Sequence, residues 1–332
     1  MMPTCSTRFS LPAVALASLL TLAACGGGGG GNDETPVTPE PPPPVTPTPS
    51  NQIESFTVPG YPHSVVVYRP ASASRAIVVL HGGGGSTDGI AYQMGLKTTP
   101  DAAPTQDTVN WSALNSAGVI AVFPQGQAAS AGSNARTWSN YAMTSGQDDL
   151  GFLKALSAAL RTRYGLSNVA LAGHSMGGAM VNRVRCEAPD SFQSYVSISG
   201  PASAHFQAAG SCAAGAQARY AGLFGSADIV IPGEWTAATW NINIVVQALN
   251  TSAFVNPAMV GEWQSFLNRA QLMCGETPSL AAKTSSGAAS TWTACGGKLQ
   301  EQLADGAGHG IDSIASMIGQ APFTLVAAFT AK

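Results

Sequence analysis

Charged side chains are scarce in this sequence. Asp, Glu, Lys and Arg make up 10% of its 332 residues, whereas about 25% is usual in soluble proteins. The net charge is −3 and no basic run occurs. Because binding to nucleic acid depends on clustered positive charge, we predict no nucleic-acid partner. The abundance of Gly, Ala, Ser and Thr in place of charged residues is typical of secreted proteins.

The N-terminal apolar stretch is too short to cross a membrane comfortably. It covers residues 11–24, whereas a transmembrane helix needs roughly 20 residues. Arg8 precedes it and small residues end it, which predicts that residues 1–24 form a signal peptide. Its last residues and Cys25, with the sequence LAAC, resemble a bacterial lipobox, in which Cys25 is lipidated and becomes the mature N-terminus. An ordinary signal peptide cleaved nearby is the alternative.

Residues 26–50 lack the apolar residues that a packed core needs. Six glycines are followed by a run rich in Pro and Thr, so we predict that residues 25–50 comprise the lipidated cysteine and a flexible spacer. Gly26 stands where an aspartate would favour retention in the inner membrane. We therefore expect an exported protein, either an outer-membrane lipoprotein or extracellular, whose only membrane contact is its lipid anchor. The oligomeric state stays open.

Motifs for nucleotide and metal binding are missing too. The sequence has neither the Gly-Lys-Ser/Thr end of a phosphate-binding loop nor a spaced G-x-G-x-x-G. Its cysteines also lack the spacing of a zinc site. We predict that the protein uses no cofactor and no metal ion.

The remaining residues, 51–332, have the pattern of one catalytic α/β domain. Short apolar strands alternate with helices, which predicts a mostly parallel central sheet with helices on both faces. The predicted strands are 65–68, 76–80, 118–123, 169–172, 194–199 and 219–224. The predicted helices are 149–164, 176–186 and 262–273.

The strongest functional motif is Gly173-x-Ser175-x-Gly177, which follows an apolar strand and precedes a helix. This is the pattern of a nucleophile elbow. Glycines two before and two after the serine remove the Cβ atoms that would clash in so sharp a turn. The turn holds Ser175 in strained backbone and exposes its Oγ, which predicts a nucleophile. A tight turn without a catalytic role is the alternative.

A second glycine-rich motif is the loop 81–85, with the sequence HGGGG, at the end of the strand 76–80. HGGG-type loops supply one N–H of the oxyanion hole in esterases, because glycine lets a backbone amide approach the substrate oxygen closely. We predict that Gly82 or Gly83 provides this donor and that the Met176 N–H provides the other. A phosphate-binding loop or a plain turn is the alternative.

A catalytic serine needs a base, and the chain offers five histidines. Hydrolases with this elbow have the chain order serine, acid, histidine. His309, in the late glycine-rich loop 305–310, fits that order, whereas three of the other histidines precede Ser175 and His205 follows a loop that could lie on the surface. We therefore predict that His309 is the base.

Asp228 is the predicted catalytic acid. It ends the segment 225–228, which directly follows the strand 219–224, at the carboxyl end where such an acid is expected. From there it could accept a hydrogen bond from His309 Nδ1, fix the imidazole tautomer and stabilise the imidazolium. The competing acids, ranked lower for their positions in the chain, are Asp305, Asp312 and Glu234.

Together these motifs resemble those of extracellular polyhydroxybutyrate depolymerases and the related feruloyl-esterase-like group of α/β-hydrolases, here carried as a bacterial lipoprotein. The resemblance covers roughly residues 60–312. Besides the elbow, it rests on LHGGGG at 80–85, FPQG at 123–126, RTW at 136–138, DDLGF at 148–152, CEAPDSF at 186–192, GSAD at 225–228 and GHG at 308–310. It implies the α/β-hydrolase fold and carboxylester hydrolysis by Ser175, Asp228 and His309.

The predicted substrate contacts are Trp138, His174 and Trp235. Trp138 could equally pack in the core. The apolar stretch 232–259 is longer than the family usually has, so we predict a lid or binding wall for an aliphatic or aromatic acyl group. An extra core helix is the alternative. Family members often carry Trp-Pro after the catalytic histidine, where this chain has Gly310-Ile311, so that wall of the pocket is missing.

The cysteines fit an exported protein. Cys5 lies in the signal peptide and Cys25 is assigned to lipid, which leaves four. Four cysteines allow three pairings. We favour the pairs that close short loops, Cys186–Cys212 and Cys274–Cys295.

These features predict a serine carboxylester hydrolase that works through an acyl-enzyme. The expected substrate is a polyhydroxyalkanoate-like polyester or another exported ester. One alternative is a feruloyl or acetyl esterase acting on plant polysaccharide. Another is a non-catalytic surface lipoprotein that uses the hydrolase fold for binding.

Overall fold

The structure is a computed structural model that describes residues 50–128, 135–207, 212, 218–231, 234–237, 239–242 and 258–332. The predicted signal peptide, Cys25 and the spacer up to residue 49 lie outside the described residues, as does most of the stretch 232–259. The strands are β1 (Gln52–Thr57), β2 (Ser64–Arg69), β3 (Arg75–Leu80), β4 (Val119–Pro124), β5 (Gln127–Ala128), β6 (Arg136–Thr137), β7 (Asn168–His174), β8 (Ser194–Ile198), β9 (Ala202–Ser203), β10 (Arg219–Gly225), β11 (Trp240–Asn241), β12 (Ala258–Val260), β13 (Thr284–Ser286), β14 (Ala289–Ala294) and β15 (Leu299–Ala304). The helices are α1 (Thr87–Gln93), α2 (Trp111–Ala117), α3 (Asp149–Tyr164), α4 (Met176–Glu187), α5 (Glu262–Cys274), α6 (Ile311–Ile318) and α7 (Pro322–Thr330).

One large sheet contains the central strands, in the order β1-β2-β4-β3-β7-β8-β10-β15-β14-β13. The strands from β4 to β15 in this order are parallel neighbours. Those at both edges are antiparallel. The predicted mostly parallel sheet is therefore confirmed, and the antiparallel edges add strands that the apolar pattern does not predict.

Helices cover both faces of the sheet, as predicted. Helices α3, α4 and α5 pack on one face, and α1, α2, α6 and α7 pack on the other. Because the central strands are buried on both sides, their sequences are continuous apolar runs rather than alternating ones. In β3, for example, residues 76–80 are all buried.

Helix α3 shows how local sequence sets an element's bounds. Asp148 precedes it, and its Oδ1 accepts a hydrogen bond of 2.9 Å from the Gly151 N–H, which satisfies one free amide of the first turn. Gly165 ends the helix with φ of 65°, a conformation that glycine adopts at little cost. The bounds agree with the predicted helix 149–164.

None of the described helices is, by itself, long and apolar enough to cross a membrane. Helices α6 and α7 meet the length and composition criteria only as a pair, and they are bent by 77° relative to each other. Their apolar side chains, including Ile314, Phe323 and Val326, are buried in the core against the sheet.

The order of the strands creates a crevice at one edge of the sheet. After β3 the chain forms β4 on one side, and it then returns past β3 to form β7 on the other side. The loops that follow β3 and β7 therefore leave in different directions. In open α/β sheets, ligands bind at such a switch point, outside the carboxyl ends of the strands.

Two disulfides join Cys186 to Cys212 and Cys274 to Cys295. These are the two pairs that close short loops, with sequence separations of 26 and 21 residues. Among the described residues, the only three side chains grouped closely enough to ligate one metal ion are Cys274, Glu276 and Cys295. Since both cysteines of that group are in the disulfide, they offer no thiolate ligand.

Two buried carboxyl groups lie between the sheet and α5. Glu262 begins α5, Glu301 lies on β15, and both are almost inaccessible to solvent. Burial raises the pKa of Glu262 to about 8, although the nearby charge of Arg269 opposes this change. Burial and the proximity of Glu262 also raise the pKa of Glu301 well above its ordinary value. Both carboxyl groups therefore favour the protonated form at neutral pH.

The raised pKa of the buried Glu262 carboxyl predicts that the stability of the protein depends on pH. From about pH 4.5 to about pH 8 the folded protein holds a proton on Glu262 that the unfolded chain loses, so the free energy of unfolding falls as the pH rises. We expect Glu262→Gln to raise the thermal midpoint by several degrees at pH 9 and to change it far less at pH 5. The exposed Asp101→Asn variant is the control and should change neither midpoint. An equal shift of the Glu262 variant at both pH values would contradict this explanation.

Candidate active site

Four loops meet at the carboxyl ends of β3, β7, β10 and β15. They carry, in this order, the glycine loop 81–85, Ser175, Asp228 and His309. A cavity of about 250 Å³ lies among these loops, and its lining includes Gly82, Gly83, Ser175, Met176 and His309. Helix α1 contributes Ile90 and Gln93 to the lining. The structure thus brings the predicted nucleophile, base and oxyanion donors to one cavity at the switch point.

Ser175 has the backbone strain expected of an elbow. Its φ is 53° and its ψ is −120°, in a region that non-glycine residues rarely adopt. Its N–H donates to Ile198 O over 2.9 Å, which holds the turn against β8. A Cβ at Gly177 would lie 2.6 Å from His81 O, closer than real Cβ atoms come to any oxygen. The flanking glycine is therefore required because α4 begins in contact with the loop after β3.

His309 and Asp228 form a hydrogen-bonded pair. His309 Nδ1 lies 2.7 Å from Asp228 Oδ2, and Asp228 is only 5% exposed. The second carboxylate oxygen, Oδ1, accepts the N–H groups of Val230 and Ile231 at 2.8 and 2.9 Å. The carboxylate is thus held through both of its oxygens. Because Asp228 engages His309 Nδ1, the other ring nitrogen, Nε2, is left for other contacts, and this ring lines the cavity.

The competing acids have other surroundings. Asp305 Oδ1 accepts a hydrogen bond of 2.9 Å from Ser226 Oγ, and Asp312 is exposed in the first turn of α6. Among the described contacts, Asp228 is the only carboxylate hydrogen-bonded to the His309 ring.

His174 lines the cavity and holds the loop that carries His309. Its Nε2 lies 2.9 Å from His309 O. Burial, reinforced by the neighbouring His309, lowers the pKa of His174 to about 4, so the ring is neutral at neutral pH. Because a carbonyl oxygen only accepts, Nε2 carries the hydrogen and donates it. The predicted substrate contact is thus a neutral side chain whose one N–H is already engaged.

A buried histidine, His81, fixes the conformation of the glycine loop. His81 Nε2 faces the Gly126 N–H at 2.9 Å and accepts from it, so Nδ1 carries the hydrogen and donates to Gly82 O over 2.7 Å. Burial lowers the pKa of His81 to about 4, which keeps the ring neutral. With one donor and one acceptor both engaged, the ring fixes the curvature of the loop.

Three backbone N–H groups at the cavity have no acceptor among the described residues. The Gly84 N–H donates to Arg136 O and the Gly85 N–H donates to Gly82 O. Within the part of the chain that the structure describes, the N–H groups of Gly82, Gly83 and Met176 have no acceptor. A Cβ on Gly82 would lie 3.1 Å from Ser175 Cβ, so this amide is adjacent to the predicted nucleophile. Unpaired amides beside a nucleophile could bind the negative oxygen of a tetrahedral intermediate.

A family model described as alpha/beta hydrolase fold matches residues 75–227, from the start of β3 to the residue before Asp228. The chain has the α/β-hydrolase fold. Similar solved structures include TT1662 from Thermus thermophilus, at 15% identity and a TM-score of 0.47 over 85% of this chain and 99% of that chain. A ferulic acid esterase is similar at 12% identity and a TM-score of 0.47, over 85% and 98% of the two chains. No curated protein matched the sequence.

Two of the predicted substrate contacts lie away from the cavity. Trp138 is 0% exposed, and its Nε1 donates to His81 O over 2.9 Å. Trp235 packs against Trp263 and Trp292, with ring centroids 5.6 and 4.9 Å apart. Neither side chain lines the cavity, so both predictions are corrected. Trp138 is a packing element because its buried indole N–H needs an acceptor, which His81 O provides.

Part of the stretch 232–259 packs near Met176, the first residue of α4. Ile242 and Met259 pack with Met143 and Met176 in an apolar cluster. Val230, which lines the cavity, packs against this cluster. The lid prediction falls mainly on residues outside those described, so it stays a prediction.

Asn140 is the site residue that sequence reasoning misses. It is 1% exposed, and its Nδ2 donates to Met176 O over 2.9 Å. It lies in an irregular loop with no repeated spacing, and the one available signal is its position two residues after the RTW motif. A contact between residues 36 positions apart follows from the fold and not from any local pattern.

Proposed function

We propose that this α/β-hydrolase is a serine carboxylester hydrolase with Ser175 as nucleophile, His309 as base and Asp228 as the acid that orients it. The observation that carries the proposal is that a strained serine, a carboxylate-bound histidine and three unpaired amides share one cavity. A serine without a base and oxyanion donors would support no such chemistry.

In the first half of the reaction, Ser175 Oγ attacks the ester carbonyl while its proton passes to His309 Nε2. The carbonyl oxygen becomes negative and is stabilised by the Met176 N–H together with that of Gly82 or Gly83. Asp228 stabilises the imidazolium through Nδ1. The tetrahedral intermediate then collapses: the C–O bond to the alcohol breaks, His309 gives its proton to the leaving alkoxide, and the acyl group stays on Ser175.

In the second half, water replaces the alcohol. His309 Nε2 removes a proton from the water as its oxygen attacks the acyl carbon, and the same amides hold the new oxyanion. The bond between Ser175 Oγ and the acyl carbon then breaks. The proton returns to Ser175 and the carboxylic acid leaves, so the cycle consumes one water for each ester.

The substrate that we propose is an exported ester with a short acyl unit, such as a polyhydroxyalkanoate-like polyester. A cavity of about 250 Å³ is smaller than the roughly 300–1,000 Å³ of most small-molecule sites, which favours a short acyl group. Ile90 and Val230 add apolar surface to the lining, and Ile229, next to Val230, is 82% exposed. The two disulfides support export, because disulfides persist in oxidising compartments.

Labelling with a biotinylated fluorophosphonate, followed by peptide mass spectrometry, tests the proposal. We expect one labelled peptide, modified at Ser175. In parallel assays we expect faster hydrolysis of 4-nitrophenyl butyrate than of the palmitate, and release of acid from polyhydroxybutyrate film. Faster cleavage of a feruloylated sugar than of the film would assign the polysaccharide-esterase alternative. Protein that adsorbs to film but is neither labelled nor active on any ester would be a binding protein.

A further inference from the structure

The short segment 136–140 touches both halves of the candidate oxyanion hole. At one end, Arg136 O accepts the Gly84 N–H over 2.7 Å. In the middle, Trp138 Nε1 donates to His81 O over 2.9 Å. At the other end, Asn140 Nδ2 donates to Met176 O over 2.9 Å. One segment therefore holds the glycine loop after β3 and the first residue of α4.

Trp138 acts on the peptide unit that contains the Gly82 amide. His81 O and the Gly82 N–H belong to one planar trans peptide, so they point in opposite directions. A hydrogen bond that fixes His81 O consequently fixes the direction of the Gly82 N–H. It also polarises the peptide and strengthens that N–H as a donor. Because Trp138 is fully buried, the indole has no water as an alternative partner.

Asn140 fixes Met176 through an amide whose orientation is unambiguous. Its Oδ1 accepts the N–H groups of Ala142 and Met143 at 3.1 and 2.8 Å. A carbonyl oxygen is needed on that side, so the NH₂ group must face Met176 O. On the N-terminal side of Met176, Ser175 O accepts the Ala179 N–H over 2.9 Å. The peptide units on both sides of Met176 are thus held.

The two halves of the hole are in direct contact. A Cβ on Gly177 would lie 2.6 Å from both Leu80 O and His81 O. The start of α4 therefore lies against the end of β3 with no space for a side chain. A displacement of either half changes the distance between the two donor amides directly.

We propose that Trp138 and Asn140 are positioning residues that hold the two oxyanion donors at a fixed separation. This inference rests on the proposed function of the site. A donor displaced by even about 1 Å loses most of its transition-state stabilisation, at a cost of about 10- to 100-fold in rate. Ground-state binding depends little on these donors, so KM should change by less than about threefold while kcat falls.

Two substitutions remove the hydrogen bonds. Trp138→Phe keeps an aromatic ring but loses part of the indole volume together with the N–H to His81 O. Asn140→Asp keeps the acceptor for Ala142 and Met143 and removes the donor to Met176 O. For each we expect kcat on 4-nitrophenyl butyrate to fall about 10- to 100-fold.

Matched controls carry the same chemical changes elsewhere. Trp292 Nε1 also donates to a backbone carbonyl, Leu280 O, over 2.8 Å, so Trp292→Phe has the same loss of volume and of one hydrogen bond. Asn182 Nδ2 donates to Gly200 O and Pro201 O over 3.0 and 3.3 Å, so Asn182→Asp likewise removes a buried amide donor to backbone carbonyls. Both controls should keep kcat within about threefold of the wild type.

Binding of butylboronic acid separates positioning from a general structural role. Its adduct with Ser175 is tetrahedral, and one boron-bound oxygen occupies the oxyanion position, so its affinity should fall by the same factor as kcat/KM. Calorimetry measures this affinity without turnover. Variants at Trp138 and Asn140 that bind the boronate like the controls would overturn the positioning role, whatever their thermal midpoints. Wild-type protein that binds the boronate but hydrolyses no ester would overturn the proposed function alone. Wild-type protein that does neither would overturn both.

Discussion

Replacing Ser175 by alanine should lower kcat on 4-nitrophenyl butyrate by about a millionfold, the effect of removing the nucleophile from a serine hydrolase. Alanine has a Cβ, as serine does, so the backbone should keep its strained φ of 53° at this position. The fold should therefore persist. Binding of substrate, which uses the rest of the cavity, should change little. Stopped assays with high enzyme concentration, together with circular dichroism, measure the loss and the fold.

Ser199 offers a matched control for this substitution. It follows β8, the neighbouring strand, and it too has a positive φ, of 45°. It is fully buried, and its Oγ has no hydrogen-bond partner within the described parts of the chain. Ser199→Ala should therefore keep its activity and its fluorophosphonate label. Retention of activity by the Ser175 variant, or an equal loss in both variants, would show that the elbow serine is not the nucleophile.

The sheet edge that carries the candidate site is the part of the fold that the sequence predicts best, and the reason is steric. Strands buried on both faces must be apolar, which makes β3 and β7 visible as continuous runs. The elbow and the loop after β3 must be rich in glycine, because the backbones approach too closely for a Cβ, as at Gly177. Constraints of this kind determine the residue type at each position, so they can be recognised in the sequence.

The C-terminal antiparallel strands are not predictable in the same way. β15 has the sequence LQEQLA, which looks like an exposed polar strand, yet Glu301 at its centre is fully buried. Burial there depends on α5 and β10, which are distant in the chain. A carboxyl group that keeps its proton is neutral, so its burial costs less than that of a charge. No pattern of apolar residues in the sequence predicts where this happens.

Trp138 illustrates a second limit. The tryptophan of the RTW motif fits a binding cleft and a packed core equally well, because both places need an aromatic surface. The decision depends on which buried acceptor the indole N–H reaches, and that acceptor, His81 O, is 57 residues away in the chain. The same holds for Asn140 and Met176 O, so the support of the site emerges only in three dimensions.

Replacing Asp228 by asparagine should lower kcat by about 10⁴-fold with little change in KM. The reason lies in the hydrogen bonds of the carboxylate. Oδ1 accepts two backbone N–H groups, those of Val230 and Ile231, so the asparagine must keep its oxygen there. Its NH₂ group then faces His309 Nδ1 and donates to it, which forces the ring hydrogen onto Nε2. A ring that carries its hydrogen on Nε2 cannot accept the proton of Ser175.

Asp305→Asn and Asp312→Asn are the controls, since these carboxylates are the competitors for the same role and make no described contact with the His309 ring. Both should keep kcat within about threefold of the wild type, as surface substitutions usually do. The imidazole N–H signals in a proton NMR spectrum of the Asp228 variant should show the hydrogen moved from Nδ1 to Nε2. A loss of activity without that change of tautomer would mean that Asp228 acts through its charge alone. A larger loss at Asp305 or Asp312 than at Asp228 would assign the acid to another loop, because the residue that holds His309 in its reactive tautomer must be the one whose removal costs most.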